Sequence, residues 1–248
     1  MFPIRDHNPS GTTPYVTYAL IALNVVVFLS YWPLFSDERQ IAMFFNDWAM
    51  IPARVTQMGE YTGVFTSMFL HGGLMHLAGN MLFLWIFGDN LEDRMGHLPY
   101  LGFYVASGVA AALAQIVGGP GSMVPTVGAS GAIAGVMGGY LLLFPRARVD
   151  ILIIILFFVR IITIPAALVL ILWFAIQVMA GLGTDPDMGG VAYWAHAGGF
   201  VAGAILTLPV FLRLGGPRFW TLHDGVPPNP QARYRFRRTS VPRVRRRR

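Results

Sequence analysis

The chain has 248 residues, of which 55% are hydrophobic and 12% are charged, and its mean hydropathy is +0.56. Soluble domains carry about 25% charged residues, so this composition excludes a soluble globular protein, and equally a disordered or collagen-like one. The chain has no Cys, which excludes disulfide bonds, thiolate nucleophiles and thiolate zinc sites. These features predict an all-α membrane protein.

The net charge of +6 is concentrated at the C-terminus. Residues 213–248 contain eleven Arg and one acid, a charge of +10, whereas residues 1–212 contain seven Arg and eleven acids, a charge of −4. The tail is also rich in Pro, which predicts a disordered segment. We expect it to contact anionic lipid or to act only as a determinant of topology, and we expect no nucleic-acid partner.

Six apolar runs are long enough to approach the roughly 20 residues that a bilayer core requires. In chain order they are 15–32, 72–88, 99–117, 127–144, 161–180 and 193–212. Arg160 and Pro165 interrupt the stretch 151–180, so we place 151–159 at the membrane interface and begin the fifth span near Arg160. The first run lacks a persuasive cleavage site and is interpreted as a retained span.

Six spans place both termini on one side of the membrane. The Arg-rich tail and five of the other seven Arg lie on that side, which the positive-inside rule assigns to the cytoplasm. The predicted organisation is a cytoplasmic N-terminal segment (1–14), a six-helix membrane core (15–212) and a cytoplasmic tail (213–248). We expect a multi-pass protein of the cell membrane, here the bacterial inner membrane.

Polar side chains are scarce in the spans, so each one is a candidate for function. His76 and Asn80 share one helical face in the second span, Ser130 opens the fourth, and His196 opens the sixth. All three spans enter from the outer side, so these four residues can share one layer within about ten ångströms of the outer surface. His71, five residues before His76, is expected to point elsewhere, near the outer surface.

Glycine ladders predict close helix packing beside these residues. Small residues spaced by four let helix backbones approach in lipid. They are Gly131, Gly135 and Gly139 on the fourth span, and Gly199 and Gly203 on the sixth. His196 shares a face with the second ladder, so a Ser on the partner helix can come within hydrogen-bond reach of it.

This pattern indicates acyl transfer by a Ser–His dyad. His196 can act as the base that activates the Ser130 hydroxyl. The unpaired N–H of Ser130 at a helix N-terminus, with Asn80 and His76, can supply donors for an oxyanion. The acids lie outside the spans or at their ends. Asp185 and Asp187 lie in the outer loop before the sixth span, and we favour a dyad.

Taken in order on spans two, four and six, three motifs resemble those of the rhomboid intramembrane serine proteases. They are His76-xxx-Asn80, Gly128-x-Ser130-Gly131 and Ala195-His196-xx-Gly199-xxx-Gly203, and the resemblance covers about 65–212. It implies a six-helix rhomboid-like bundle that hydrolyses transmembrane protein substrates near the outer membrane face, without a metal or cofactor. Ser130 is then the nucleophile, His196 the base, and His76, Asn80 and the Ser130 N–H the oxyanion donors. Some members carry an aromatic residue four positions after the nucleophile that stacks on the catalytic His; this sequence has Ala134.

Other readings remain open at this point. Taken singly, Asn80, His76 and Ser130 could each serve only in helix packing. A catalytically inactive rhomboid-like protein would bind membrane clients without cutting them. A bis-His haem or metal protein would use His76 with His196, or His71 with His76, and would leave Ser130 and Asn80 without a role.

Overall fold

The structure, a computed structural model, describes residues 2–155 and 158–222, and it is mostly helical. The longer apolar helices are α1 (Tyr15–Tyr31), α5 (Leu74–Met95), α6 (His97–Gly118), α7 (Ser130–Leu143), α8 (Ala166–Gly183) and α9 (Tyr193–Arg213). Between α1 and α5 lie three short helices: α2 (Glu38–Trp48), α3 (Pro52–Met58) and α4 (Thr62–Thr66). The remaining elements are β1 (Phe2–Asp6), β2 (Arg148–Ile155), β3 (Phe158–Pro165) and α10 (Pro217–Leu222).

Each of the six predicted apolar segments overlaps one of the six longer helices. Within the described residues, α6, α8 and α9 are each long and apolar enough to cross a membrane, and so is α1 together with the residues that continue it to Ser36. Helix α5 passes only together with the segment Thr62–Phe69, from which it is bent by 87°. Helix α7 has 14 residues, a length of about 21 Å, so it falls short of a bilayer core of about 30 Å.

The short helix α7 lies at the centre of the bundle. Most of its residues are buried, including Ile133, Val136 and Met137, and it packs against α5, α6, α8 and α9. A helix that is apolar all round is stable only when neighbours cover it on every side. The other long helices surround this element and fix its position.

Glycine allows α7 and α9 to meet backbone to backbone. A Cβ added at Gly199 would lie 2.1 Å from the carbonyl oxygen of Gly131, and one added at Gly203 would lie 2.0 Å from that of Gly135. Both distances are far below van der Waals contact, so any larger residue would force the helices apart. A Cβ added at Gly139 would lie 2.5 Å from the Thr207 hydroxyl. The close approach of α7 and α9 is present in the structure, and the ladder on α9 faces it. On α7, a Cβ at Gly131 or Gly135 would instead point to Ala111 or Ser107 of α6.

The chain is not all-α, and the start of the predicted fifth span is wrong. Strands β1, β2 and β3 form an antiparallel sheet in that order, and β2 and β3 form a hairpin that includes the segment placed at the interface. Arg160 lies on β3 opposite Ile153, and the helix begins only after Pro165. An apolar run rich in Ile and Val fits a strand as well as a helix, and periodicity alone does not separate the two.

Polar contacts join the N-terminal strand to the other two strands of the sheet. Arg5 and His7 contact the carboxylate of Asp150 at 2.6 and 2.8 Å, and Thr163 donates to it at 2.5 Å. Burial by itself would raise the pKa of Asp150, but these hydrogen bonds outweigh it and lower the pKa to about 2. Asp150 is therefore ionised at neutral pH and holds the three strands together.

Glu92 caps the first long helix from the end of α5. Its carboxylate accepts hydrogen bonds from the backbone N–H groups of Val16 and Thr17, each at 2.8 Å, and from the Thr17 hydroxyl at 2.7 Å. The first N–H groups of a helix have no partner within the helix, and a negative charge there is favourable. Glu92 thus joins α1 to α5.

The boundary of the predicted disordered tail also needs correction. Helix α10 lies within the range 213–248, and its Phe219 packs against Phe144 while the Trp220 indole donates to the Leu142 carbonyl at 3.0 Å. This first part of the tail is folded onto the end of α7. The Arg-rich remainder from residue 223 lies outside the described residues.

Gly203→Ala tests the helix contact. Because the new methyl group would overlap the Gly135 carbonyl, we expect the free energy of unfolding to fall by about 1–3 kcal/mol. The measurement is the midpoint of thermal unfolding in detergent, which should be lower than that of the wild type. Gly102→Ala in α6 is the matched control, since a Cβ there would meet nothing within 4 Å. Equal stability of the two variants would contradict a direct backbone contact between α7 and α9.

Asp6→Asn tests the environment of the N-terminal strand. Burial raises the pKa of Asp6 from 3.8 to about 7, although the Tyr140 hydroxyl donates to its carboxylate at 2.6 Å. The contribution of Asp6 to stability is therefore fully present below about pH 4 and is lost as the pH rises through about 7.

We expect the thermal midpoint of the wild type to fall relative to Asp6→Asn between pH 5 and pH 8, by about 3 °C or more. Asparagine keeps an acceptor for Tyr140 but does not ionise. Asp47→Asn, at an exposed position in α2, should follow the wild type across the same range. Parallel curves for Asp6→Asn and the wild type would show that Asp6 ionises normally.

Candidate catalytic site

Ser130 is the first residue of the central helix α7, and the preceding turn depends on Gly128. Gly128 has a φ of 132°, a conformation that residues with a Cβ rarely adopt. Its N–H donates to the Ser67 carbonyl at 2.9 Å, which fixes the turn against the segment before α5. The N–H of Ser130 is among the first N–H groups of α7, which lack a carbonyl partner within the helix.

His196 lies in the first turn of α9 and faces Ser130. Its Nε2 is 2.7 Å from the Ser130 Oγ, within the range of a good hydrogen bond. The two residues are 66 positions apart in the chain and are brought together by the glycine contact between α7 and α9. The hydrogen-bond reach predicted from the shared face of His196, Gly199 and Gly203 is present.

Two residues of α8 lie against the His196 imidazole on the side away from Ser130. The Gln177 amide oxygen is 2.8 Å from His196 Nδ1, and the Trp173 ring lies 5.6 Å from the imidazole, centroid to centroid, at 32°. Residue 134, where some family members have a stacking aromatic side chain, is a fully buried Ala. In this chain the aromatic contact to His196 comes instead from α8.

His76 approaches Ser130 from α5. Its Nδ1 accepts a hydrogen bond from the Gly72 N–H at 3.3 Å, so in the neutral ring the proton resides on Nε2. A Cβ added at Gly128 would lie 2.9 Å from that Nε2 and 3.3 Å from the Ser130 Oγ. The His76 Nε2 and the Ser130 hydroxyl thus both border the space that a side chain at residue 128 would occupy, so only glycine fits there.

Asn80 lies one turn further along α5 and is 7% exposed. Its Nδ2 is buried and has no hydrogen-bond partner among the residues that the structure describes. A buried donor without a hydrogen-bond partner lowers the stability of the fold, so such a group is a candidate for function. Asn80 lines the same cavity as Ser130 and His196, so this donor is available to a bound group.

His71 is placed differently from the prediction. It does not point away toward the surface: its side chain is fully buried, and its ring lies 5.2 Å from that of His76, edge to face. The Tyr31 hydroxyl holds its backbone, accepting from the N–H at 2.7 Å and donating to the carbonyl at 3.0 Å. The 87° bend before α5 turns His71 inward, and regular helical spacing does not anticipate that bend.

The cavity beside Ser130 has a volume of about 450 Å³. His76, Asn80, Ser130 and His196 line it, together with residues of the loop before α9, including Asp185, and Tyr193 and Trp194 at the start of α9. Among the described residues, no three His, Asp or Glu side chains are close enough to hold a metal ion together. The cavity thus brings together the hydrogen-bonded Ser130 hydroxyl and His196 imidazole with hydrogen-bond donors, and it has room for a bound molecule.

The sequence of residues 58–213 matches the family profile of the Rhomboid domain. The chain belongs to the rhomboid family. This match covers more than half of the chain and confirms the resemblance carried by the three motifs. Rhomboids are multi-pass membrane proteins, and the apolar helices of this chain agree with that placement.

Three rhomboid proteins illustrate the similarity of this chain to its relatives. It is 33% identical over 131 residues to the rhomboid protease GluP of Bacillus subtilis and 32% identical over 128 residues to the putative rhomboid protease YdcA of the same species. It is 31% identical over 147 residues to the mitochondrial Rhomboid protein 1 of Saccharomyces cerevisiae. The matches cover 52%, 52% and 54% of this chain, and 24%, 61% and 38% of the relatives.

The spacing of the motifs predicts one shared level for His76, Asn80, Ser130 and His196. It does not predict that Gln177 and Trp173 contact His196. A signal for Gln177 exists, because it is the only side chain with an amide, hydroxyl or charge in Ala166–Gly183. A polar group in an apolar span marks a candidate for function. No comparable signal marks Trp173, since an aromatic residue in such a helix usually serves packing.

Proposed function

We propose that this chain is an intramembrane serine endopeptidase that cleaves transmembrane segments of other membrane proteins near the outer membrane face. The observation that carries the proposal is the 2.7 Å contact between the Ser130 Oγ and the His196 Nε2 at the wall of a cavity with an unpartnered donor. Membership of the rhomboid family and the named protease relatives support it. Transmembrane proteins are the proposed substrates, and no cofactor is required.

The proposed reaction begins with proton transfer from Ser130 to His196. The Ser130 Oγ bonds to the carbonyl carbon of the scissile peptide as its proton moves to Nε2. The protonated imidazole then gives this proton to the leaving amine, the C–N bond breaks and an acyl-enzyme forms. Water attacks the ester with His196 again as base, which releases the new carboxyl terminus and restores the hydroxyl.

Three donors are assigned to the oxyanion that forms in each half-reaction. They are the Ser130 N–H, the His76 Nε2–H and the Asn80 amide. The orientation of His76 by Gly72 and the absence of another partner for the Asn80 Nδ2 among the described residues support this assignment. Removal of one such donor typically costs about 3–4 kcal/mol of transition-state stabilisation.

The proposed placement in the membrane uses six spans, with both termini in the cytoplasm. Helix α7 is about 21 Å long, so if its C-terminal end reaches the cytoplasmic face, Ser130 lies roughly 9 Å below the outer edge of a 30 Å core. On this placement, residues 1–14 and 213–248 flank a membrane core of 15–212 in the bacterial inner membrane. The Arg-rich tail then faces anionic lipid.

The hydrogen bonds of the site favour a protease over a haem or metal centre held by His76 together with His196. Both ring nitrogens of His196 are engaged, by Ser130 and by Gln177, and His76 Nδ1 is engaged by Gly72. Ligation through these atoms would break those contacts. An inactive client-binding rhomboid has no need of a nucleophile aligned with a base, so the intact Ser130–His196 pair argues for an active enzyme.

Ser130→Ala and His196→Ala test the proposed dyad. Ser130→Ala removes the group that forms the covalent bond and His196→Ala the group that transfers the proton. We therefore expect the rate of cleavage of a transmembrane reporter to fall by at least about 10³-fold. Labelling by a fluorophosphonate should be lost with Ser130→Ala. Ser36→Ala, at an exposed serine, is the matched control and should cleave at the wild-type rate. Full activity of a folded Ser130→Ala protein would rule the dyad out.

Asn80→Ala tests the oxyanion assignment separately from the dyad. Loss of one donor should lower kcat about 10²–10³-fold and leave KM nearly unchanged, because the donor acts on charge that develops in the transition state. Asn46→Ala, at an exposed position in α2, controls for the substitution. A rise in KM at constant kcat would instead assign Asn80 to substrate binding.

A further inference from the structure

We propose that Gln177 is a positioning residue that fixes the tautomer of His196 so that Nε2 is free to accept the proton of Ser130. The inference rests on the proposed function and adds to it a third member of the site, contributed by a helix that carries neither the nucleophile nor the base. Its physical basis is the 2.8 Å contact between the Gln177 Oε1 and the His196 Nδ1.

The direction of this hydrogen bond decides the protonation of the ring. An amide oxygen only accepts, so a ring nitrogen that contacts it must carry a hydrogen. Neutral imidazole has one N–H, and when this resides on Nδ1 the lone pair of Nε2 faces the Ser130 Oγ at 2.7 Å. The opposite tautomer would place an N–H against Ser130 and an unpaired lone pair against the amide oxygen. Gln177 therefore selects the form that can act as a base.

Burial makes this selection strong. Gln177 is 7% exposed and lies on the inner face of an otherwise apolar helix. Hydrogen bonds in such surroundings have little competition from water, and a mismatched polar pair is costly. In serine and cysteine proteases on other folds, an Asp or Asn performs this orientation of the histidine. Here a neutral amide provides it without placing a charge inside an apolar bundle, where a carboxylate would be expensive.

Trp173 complements Gln177 on the same helix face. The two residues are four positions apart, so both side chains project toward α9. The Trp173 ring lies beside the imidazole, with the two centroids 5.6 Å apart, while Gln177 binds the Nδ1 edge. The ring is thereby restrained against both tilting and rotation, which explains how His196 is held although residue 134 is Ala.

The test compares Gln177→Leu with Gln177→Glu. Leucine keeps most of the side-chain volume but has no acceptor, so we expect kcat to fall about 10–100-fold with KM within twofold of the wild type. Glutamate restores an acceptor at Nδ1 and should recover activity above that of the leucine variant. Met179→Leu, at an exposed position of α8, is the matched control and should retain wild-type activity.

The pH profile separates positioning from simple packing. A carboxylate at residue 177 stabilises the protonated imidazole, so the acid limb of the rate profile of Gln177→Glu should move to higher pH. The other titratable groups that line the cavity, His76, Asp185 and Tyr193, are the same in all variants. A residue that only joined helices would change the thermal midpoint without moving this limb.

Nitrogen-15 NMR of histidine-labelled protein tests the tautomer without any turnover. The His196 signals, identified by their loss in His196→Ala, should report an N–H on Nδ1 in the wild type and a mixture of tautomers in Gln177→Leu. A wild-type ring protonated on Nε2, or a folded Gln177→Leu protein with full kcat, would overturn the inference. If instead the wild type cleaves no faster than Ser130→Ala while the NMR result holds, the proposed function fails and the role of Gln177 in positioning stands.

Discussion

The contact between the backbones of α7 and α9 is the constraint on which the site depends. Ser130 opens one of these helices and His196 lies in the first turn of the other, so their separation follows directly from the distance between the helix axes. A methyl group at Gly199 or Gly203 would overlap the carbonyl oxygen of Gly131 or Gly135. Larger residues would move the axes apart and exceed the 2.7 Å at which the hydroxyl meets the imidazole. The packing of α7 against α9 therefore sets the distance between the Ser130 hydroxyl and the His196 imidazole.

Neutral polar groups, each oriented by another, make up the rest of the site. The Gly72 N–H donates to His76 Nδ1, which leaves the proton of that ring on Nε2. Gln177 accepts at His196 Nδ1, which leaves the Nε2 lone pair for Ser130. In the proposed site, His76 is therefore a donor and His196 an acceptor. This division needs no buried carboxylate, which is consistent with acids that lie outside the apolar spans or at their ends. A dyad supported by an amide suits an apolar interior where a charged third member would be costly.

The sequence allowed much of this arrangement to be predicted, because scarcity of polar residues and regular helical spacing are both local properties. Six helices follow from apolar runs, and the meeting of Ser130 with His196 follows from the alignment of a histidine with a glycine ladder. The β2–β3 hairpin was missed because a run rich in Ile and Val has no periodicity that separates strand from helix. His71 was misplaced because the bend before α5 breaks the spacing on which the prediction relied. The contact of Gln177 with His196 depends on the rotation of α8 about its own axis relative to α9, which no motif within one helix predicts.

The central helix connects the site to the sheet at the other end of the bundle. Tyr140 is ten residues after Ser130, about 15 Å along the same helix, and its hydroxyl binds Asp6 of β1 while Asn8 contacts it at 3.4 Å. Ile133, Val136 and Met137 are buried between this helix and its neighbours. Contacts at its two ends hold it as well: the Gly128 turn at one and Tyr140 with the N-terminal strand at the other. A strand that lies outside the three motifs is thus joined to the helix that begins at Ser130.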